Sequence, residues 1–346
     1  MKRFVFILFV VLIAGCSKNS HPVNTETQLE SYIFFDADVV KTKSNLLEDN
    51  HLPYDKGTSF GVMGLKGPSN TQVFDMYDDS DSEKGVRFDN VAVMYRANGG
   101  NTDPFVYDTL ALWTSEAHSF YAFYPYDSEL ITNFSIETVG DETVMPYVSY
   151  EQPEDIEDMT DILTAITTGK TYSSTANATA NLVNLTFNHR LFAFDVILKN
   201  NLTTDWVVTD AVVSITDVTG DAKFYFDGNV DLGNTTVNYT NIDCVTEDIT
   251  IAGKTGDSGV EYDLNGEDYF LFVPCANLNV SVIINFKNLW NQNKEFKYSD
   301  VISVEGGFAA GTKYALVIKR NVVGGTVTFT PELQAWSTTD VEHEFN

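Results

Sequence analysis

The sequence is short of basic residues. Its 346 residues include 21 Lys and Arg against 49 Asp and Glu, and the formal net charge is −28. A protein that binds nucleic acid needs a basic face to pair with phosphates. The charge balance therefore argues against nucleic acid as a partner and fits a soluble surface that faces solvent.

Long helix-forming segments are also lacking. No extended run is rich in Ala, Leu, Glu and Lys, whereas Thr, Asn, Val, Tyr and Phe are abundant, and this composition favours β structure. With 43% hydrophobic and 13% aromatic residues, the chain is long enough for two domains, each with its own core. We therefore expect an all-β protein.

Only one apolar run is prominent, and it lies at the start of the chain. After Lys2 and Arg3, the eleven residues 4–14 are apolar, and at about 1.5 Å per residue they would span only roughly half of a bilayer core of about 30 Å. We interpret residues 1–15 as a signal peptide. Its end, LIAGC, resembles a bacterial lipobox, which predicts lipidation of Cys16. The alternative is an ordinary signal peptide with an incidental cysteine.

Cysteine is rare as well. Beyond Cys16 the chain has only Cys244 and Cys275. In an exported protein these two either form a disulfide or remain buried free thiols, and the sequence leaves both alternatives open.

Patterns typical of catalytic or metal sites are weak or missing. The five histidines show no metal-ligand spacing, and the acidic segments lack the glycine and spacing of an EF-hand loop, so we expect no metal and no cofactor. The segment Gly57-Thr58-Ser59-Phe60-Gly61 matches a nucleophile elbow, but a strand rather than a helix is predicted after it. We expect a protein that is not an enzyme.

Short β segments separated by turn residues fill the chain from about residue 31. Their spacing favours β-sandwiches. The small, polar segment 171–180 predicts a domain boundary, which places a polar tether at 16–30, one domain at 31–175 and a second at 176–346. A short helix is predicted at 158–167.

The first predicted strand ends in a basic, polar segment. In SYIFFDADVVKTKSN the apolar residues that share one face are Ile33, Phe35, Ala37 and Val39. Lys41 and Lys43 follow at once, which is unusual in so acidic a chain.

Four segments together resemble the successive landmarks of a known family. They are HSFYAFYPYD, DILTAI, LVNLTFNHRLFAFDVIL and EGGFAAGTKYALVIK, at residues 118–127, 161–166, 182–198 and 305–319. Their order and spacing are similar to those of the fimbrillins of Bacteroidales, the lipoprotein subunits of the type V pilus. The resemblance implies two tandem β-sandwiches similar to transthyretin and a structural or adhesive component of a pilus.

The resemblance also implies a way of assembly. In that family the chain is cut after a basic residue behind its first strand, and a C-terminal strand of the next subunit fills the groove. Here the residues that match the cut are Lys41 and Lys43, although the family's usual residue is Arg. The candidate donor strand spans 326–336, and its apolar face consists of Val327, Phe329, Leu333 and Ala335. The alternatives are an ordinary loop at the lysines and an ordinary last strand of the second sandwich.

The expected partners are other fimbrillin subunits, the outer membrane through the lipid and, as an open possibility, ligands on host or bacterial surfaces. One alternative function is a pilus anchor or accessory protein that is never cut and keeps its lipid. Another is a glycan-binding surface lipoprotein, which exposed aromatic platforms at Trp113, Trp206 or Trp290 would favour.

Overall fold

The computed structural model describes residues 32–39, 59–66, 86–95, 105–108, 111–113, 115–126, 131–139, 143–175, 181–256, 258–266, 269–288, 290–323 and 326–335. Apart from 3-10 structure at Ile156–Asp158 and at Asn181, the regular structure in these ranges consists of strands, which confirms the all-β class. None of the described helical structure is long and apolar enough to cross a membrane. The predicted signal peptide and tether, residues 1–30, lie outside the described ranges.

Seven strands of the N-terminal half form one sheet that closes on itself. In chain order they are β1 (Phe35–Val39), β2 (Ser59–Lys66), β3 (Val86–Tyr95), β4 (Phe105–Val106), β5 (His118–Tyr124), β8 (Leu163–Lys170) and β9 (Val183–His189). Their order around the sheet is β1-β4-β3-β2-β5-β8-β9, and β9 returns to β1. Apolar residues alternate along these strands and fill the inside of the closed sheet.

The C-terminal half contains two sheets. One has the order β16-β10-β20-β21, formed by Val260–Asp263, Phe192–Asn200, Lys313–Val323 and Thr326–Ala335, with β17 (Phe270–Phe272) also paired to β10. The other has the order β14-β11-β18-β19, formed by Thr236–Val245, Trp206–Thr219, Cys275–Lys287 and Asn293–Phe308, with β15 (Ile249–Ile251) paired to β11. Residues of both sheets share one hydrophobic core, so these sheets form a sandwich.

A fourth sheet joins the two halves of the chain. Its order is β13-β12-β7-β6, where β6 (Ile131–Val139) and β7 (Thr143–Glu151) belong to the N-terminal half and β12 (Asp221–Tyr225) and β13 (Val230–Leu232) to the C-terminal half. β7 and β12 pair antiparallel over five residues. A third core cluster contains side chains from both halves, among them Tyr121, Val148, Phe224 and Val273.

Two sequence predictions differ from this architecture. The helix expected at 158–167 is instead the 3-10 turn followed by β8, whose residues pair with β5 and continue the closed sheet. The domain boundary expected between 175 and 176 does not separate the sheets. β9 follows that boundary yet closes the N-terminal sheet, and β12 pairs with β7, which precedes it.

Candidate functional site

The first strand is deeply buried in the N-terminal sheet. Ile33, Phe35 and Ala37 are at most 1% exposed, so the apolar face predicted from the sequence points into the core. Val39 belongs to the same strand and its backbone pairs with Phe187, while its side chain lies outside the described part of the chain.

Strand β1 lies between β9, to which it is parallel, and β4, to which it is antiparallel. On one side it runs parallel to β9 over five residues, and the N–H of Val183 donates to the carbonyl of Phe34 at 2.9 Å. On the other side, among the described residues, Phe35 pairs with Phe105 of β4, Tyr32 forms a bridge with Leu112, and the Ile33 N–H donates to the Ala111 carbonyl at 2.8 Å. The closed sheet therefore opens between β4 and β9 if β1 is removed.

Phe35 is the centre of an aromatic cluster. Its ring lies edge-on to four others, those of Phe60, Phe88, Tyr107 and Phe120, at centroid distances of 5.5–6.4 Å. The Tyr107 hydroxyl also donates to the carbonyl of Ile33 at 2.7 Å. Burial of a large apolar side chain is worth about 1.5–3 kcal/mol. Removal of β1 would thus leave a deep, aromatic-lined groove that another apolar strand can fill.

The residues that would control such a removal are not among those described. Cys16, Lys41 and Lys43 all lie outside the described ranges. Lipidation at Cys16 and cutting at either lysine stay predictions.

The candidate donor strand is β21, which lies in its own sandwich in this structure. It pairs antiparallel with β20 over ten residues and forms the end of the sheet order, with Pro331 opposite Ile318. Proline lacks a backbone N–H group, and a strand at the end of the described sheet order can accommodate this loss of a hydrogen-bond donor. Donation of this strand to another subunit stays a prediction.

The apolar face of β21 contacts the core of the sandwich. Phe329 lies 4.9–5.3 Å, centroid to centroid, from the rings of Trp206, Phe286 and Phe296, and Leu333 packs against the same core. Val327 is 37% exposed, and only the backbone of Ala335 is described. The strand can therefore leave only if its new site offers comparable apolar contacts.

Of the two alternatives for the later cysteines, the structure has the free thiols. Cys244 lies on β14 and Cys275 begins β18, and both are half-buried and unbonded to each other. Burial raises the pKa of each thiol to about 11, which disfavours the reactive thiolate form at neutral pH.

The catalytic and metal patterns do not gain support from the geometry. Ser59 begins β2, which continues to Lys66 as a strand, so the strand-turn-helix of a nucleophile elbow is not formed there. Within the described ranges no group of three or more His, Cys, Asp or Glu side chains could hold a metal ion. His189 is buried against Asp161, which it contacts through Nδ1.

The tryptophans differ in exposure. Trp113 and Trp206 are 8% and 0% exposed and belong to the two main cores, whereas Trp290 is 78% exposed at the turn between β18 and β19. Two of the three aromatic platforms that would favour glycan binding are therefore inside the protein.

The comparisons with known proteins agree with this architecture. A family profile described as fimbrillin-like matches residues 50–336. The chain belongs to the fimbrillin-like family. This match starts after β1, so the predicted removable strand lies outside it.

Among solved structures, a fimbrial protein from Bacteroides vulgatus is similar at 16% identity and a TM-score of 0.55, covering 89% of this chain and all of that one. It shows that this fimbrillin-like protein shares the fold of a fimbrial protein. A candidate cell adhesion protein from Bacteroides uniformis matches at 15% identity and a TM-score of 0.44, over 88% of this chain and 99% of that one.

The fimbrial anchor protein Mfa2 from Porphyromonas gingivalis matches at 10% identity and a TM-score of 0.37, over 89% of this chain and 97% of that one. No curated protein sequence matches the chain.

Sequence reasoning missed the pairing of β1 with the strands on either side of it. The parallel partner β9 lies far along the chain, and β4 has only two residues, so neither gives a local signal of the pairing. The alternating burial of β9 identifies it as a strand but does not indicate its partner.

Proposed function

We propose that this fimbrillin-like protein is a structural or adhesive subunit of a pilus, without enzymatic activity, that assembles by exchange of its first strand. The observation that supports the proposal is the placement of β1, which lies between β9 and β4 in the closed sheet with Ile33, Phe35 and Ala37 fully buried in the core. A cut behind β1 would free an apolar groove, and a strand from another subunit would complete the sheet.

The exchange needs a direction, because the apolar packing that β1 leaves behind is similar in kind to the packing that the incoming strand forms. Ile33 and Phe35 leave the groove, and an apolar strand such as the one that carries Phe329 and Leu333 enters it. Proteolysis is irreversible and supplies that direction. Since a donor and a groove on the same molecule make a head-to-tail contact, the assembly grows as a filament rather than closing.

The decisive experiment changes both lysines to Ala. If the cut takes place at Lys41 or Lys43, the double variant keeps β1, and the ladders of oligomers that wild-type protein forms on unheated gels disappear. The matched control changes both lysines to Arg, which keeps a basic cutting site, and should retain the ladders. Ladders that persist in the Ala variant, with an N-terminus still at Cys16, would contradict the cut.

The donor strand is tested separately. A chain that ends at Gly325 lacks β21 but retains β1 and the groove. If β21 is the donor, this chain can cap a growing filament by accepting a strand but cannot extend it, so added truncated protein shortens the ladders. The control is a full-length chain with Thr330→Ala, an exposed position of β21, which should leave the ladders unchanged.

Location at the cell surface follows from the pilus, and we propose that the lipid on Cys16 holds the precursor in the outer membrane. Acyl chains bind membranes in proportion to their buried CH₂ groups, at about 0.8 kcal/mol each. Cys16→Ala should therefore give a precursor that no longer partitions into detergent. Retention of an acyl chain by that variant would contradict the lipobox.

One sequence observation favours a second function. The first Arg after the signal peptide is Arg87, inside β3, so a protease that requires Arg has no site behind β1. A chain that is never cut keeps both β1 and its lipid and would serve as the anchor at the base of the pilus. The N-terminal sequence of the protein isolated from cells separates the two functions.

A further inference from the structure

Three ionisable side chains lie together on one face of the sheet β16-β10-β20-β21, the face that points away from the core of the C-terminal sandwich. They are Asp195 on β10, Asp263 at the end of β16 and Lys313 at the start of β20, and we name them the lysine-carboxyl cluster. In the ladders Lys313 is opposite Ala193, and Asp263 is opposite Ile197. Because residues two apart share a face, all three side chains point to the same side, with Asp195 in the middle.

The cluster is buried and tightly arranged. Asp195 is 0% exposed and Lys313 8% exposed, and the Nζ atom of Lys313 lies 3.3 Å from Oδ2 of Asp195. The other oxygen, Oδ1 of Asp195, accepts the Val196 N–H at 2.7 Å. The ring of Tyr269 covers the amine, with its centroid 3.7 Å from Nζ. Water therefore has little access to the amine and the carboxyl group that it faces.

The second carboxyl group has a raised pKa. Burial, together with a hydrogen bond to Asp195 and its charge, raises the pKa of Asp263 to about 8. The carboxyl group of Asp263 is therefore more readily protonated than an exposed one. A simple ion pair with Lys313 does not need this second carboxyl group, whose charge would repel that of Asp195.

Two other lysine-carboxylate pairs on the same sheet provide a comparison. Lys199 pairs with Glu261 and Lys319 with Glu332, each one to one, and their carboxylates are 46% and 49% exposed. In the lysine-carboxyl cluster the corresponding exposures are 10% for the lysine side chain and 0% for that of Asp195. Of these three lysine-carboxylate pairs, only Lys313 and Asp195 have both a buried amine and a buried carboxyl group, with a second carboxyl group next to them.

We propose that Lys313 and Asp195 condense to an isopeptide bond, with Asp263 as the acid-base group. The lone pair of Nζ attacks Cγ of Asp195 and forms the C–N bond, and the bond from Cγ to one carboxyl oxygen breaks. The two protons that the ammonium group loses leave with that oxygen as water. Asp263 carries a proton from nitrogen to oxygen and is regenerated, so the reaction needs no oxidant and no co-reactant.

The bond would have a mechanical consequence, which rests on the proposed function. β10 begins the C-terminal sandwich, and β20 directly precedes the candidate donor strand β21. In a filament under tension, force would enter each subunit through its N-terminal sheet and leave through β21. The isopeptide bond would then carry this force directly from β10 to β20. The segment between Asp195 and Lys313 would then be shielded from extension.

The test is the mass of the intact, purified full-length chain. The proposal expects wild-type protein to be lighter by one water than its sequence, and a protease digest to contain one peptide pair joined through Lys313 and Asp195. Lys313→Arg keeps the charge but replaces the amine, and Asp263→Asn removes the acid-base group. Both variants should have the full mass, whereas the exposed-pair control Lys319→Arg should still lack one water.

Two outcomes would overturn the proposal. One is the full mass for wild-type protein after prolonged incubation at neutral pH, in which case the cluster is an ion pair. The other is a loss of water that maps to Asp227-Gly228, where an imide can form, and that persists in Lys313→Arg. If a variant fails to fold, the wild-type mass and digest still decide. Neither result depends on oligomer ladders, so failure here is distinct from failure of the pilus proposal.

Discussion

At the scale of single residues, the buried pair of Asp161 and His189 connects two neighbouring strands. Asp161 precedes β8 and His189 ends β9, and their side chains are 9% and 3% exposed. Burial raises the pKa of Asp161, while the hydrogen bond and the charge of His189 lower it. Each side chain therefore needs the other, because loss of one partner would leave the remaining group buried without its hydrogen bond and opposite charge.

We predict that His189→Leu makes stability depend on pH. Without its partner, the folded-state pKa of Asp161 rises further above its unfolded value. Such a group contributes stability below the unfolded pKa, and this is lost as pH rises through the folded pKa. The free energy of unfolding, from urea titration, should fall by about 3 kcal/mol relative to wild type at about pH 7 and by much less at about pH 4.

The matched control for this prediction is the double variant Asp161→Leu with His189→Leu. It buries no unpaired carboxyl group, so its difference from wild type should not grow between the two pH values. An equal loss of stability at both pH values in the single variant would show that packing, rather than the charge of Asp161, explains the effect.

At the scale of elements, β1 is held by backbone pairing and by the burial of its inward face. It pairs with β9 over five residues, and the ring of Phe35 contacts four other aromatic rings. The inward face of the strand therefore contributes more to stability than its outward face.

This difference predicts different results for two neighbouring phenylalanines. Phe35→Ala removes a ring that is 1% exposed and should cost about 3–5 kcal/mol in the free energy of unfolding. Phe34→Ala changes the half-buried residue next to it and should cost about 1 kcal/mol. Chemical denaturation of uncut protein measures both, and equal losses would mean that the inward face of β1 does not carry its stability.

At the scale of the whole molecule, the sheet β13-β12-β7-β6 combines strands from both halves. Arg190, which lies just before β10, adds a further link to β12, because its Nη2 donates to the carbonyl of Tyr225 at 3.1 Å. Shared sheets and shared cores couple the folding of the parts that they join.

We therefore predict one cooperative unfolding transition for the uncut protein. Differential scanning calorimetry should give a single peak with a calorimetric enthalpy close to the van't Hoff enthalpy. Phe224→Ala, which removes a buried ring of β12, should shift this peak as a whole to lower temperature. Two separate peaks, of which the variant moves one, would show that the halves unfold independently.

The sequence predicts the strands of this protein better than their partners. The alternation in β9 and the apolar stretch of β10 identify two strands, and the inward face of β1 is correct for Ile33, Phe35 and Ala37. The pairing of β1 with β9 is set by tertiary contacts far along the chain, so no local pattern reports it. The domain boundary predicted from the small, polar segment at 171–180 differs from the structure because strands from both sides of that segment pair with each other.

Short segments are ambiguous for a related physical reason. The residues that follow Asp161 form a brief apolar run, which fits a helix or a strand equally well, and their pairing with β5 decides for β8. Asp195 is a visible exception within a buried apolar strand, and this is the signal that could have located the lysine-carboxyl cluster. Lys313 and Asp263 show their proximity to it only in the folded chain.

The parallel pairing of β1 with β9 also has a consequence for the time course of folding. β1 precedes the other described strands, yet its parallel partner β9 begins at Val183, so the closed sheet cannot form until the chain as far as β9 is available. Pairings between distant segments are slow because a long loop must close first. Until then β1 lacks its parallel partner, and its apolar side chains are prone to aggregation. If the proposed cut behind β1 takes place, it should therefore follow folding, because an earlier cut would remove the strand before the sheet has closed around it.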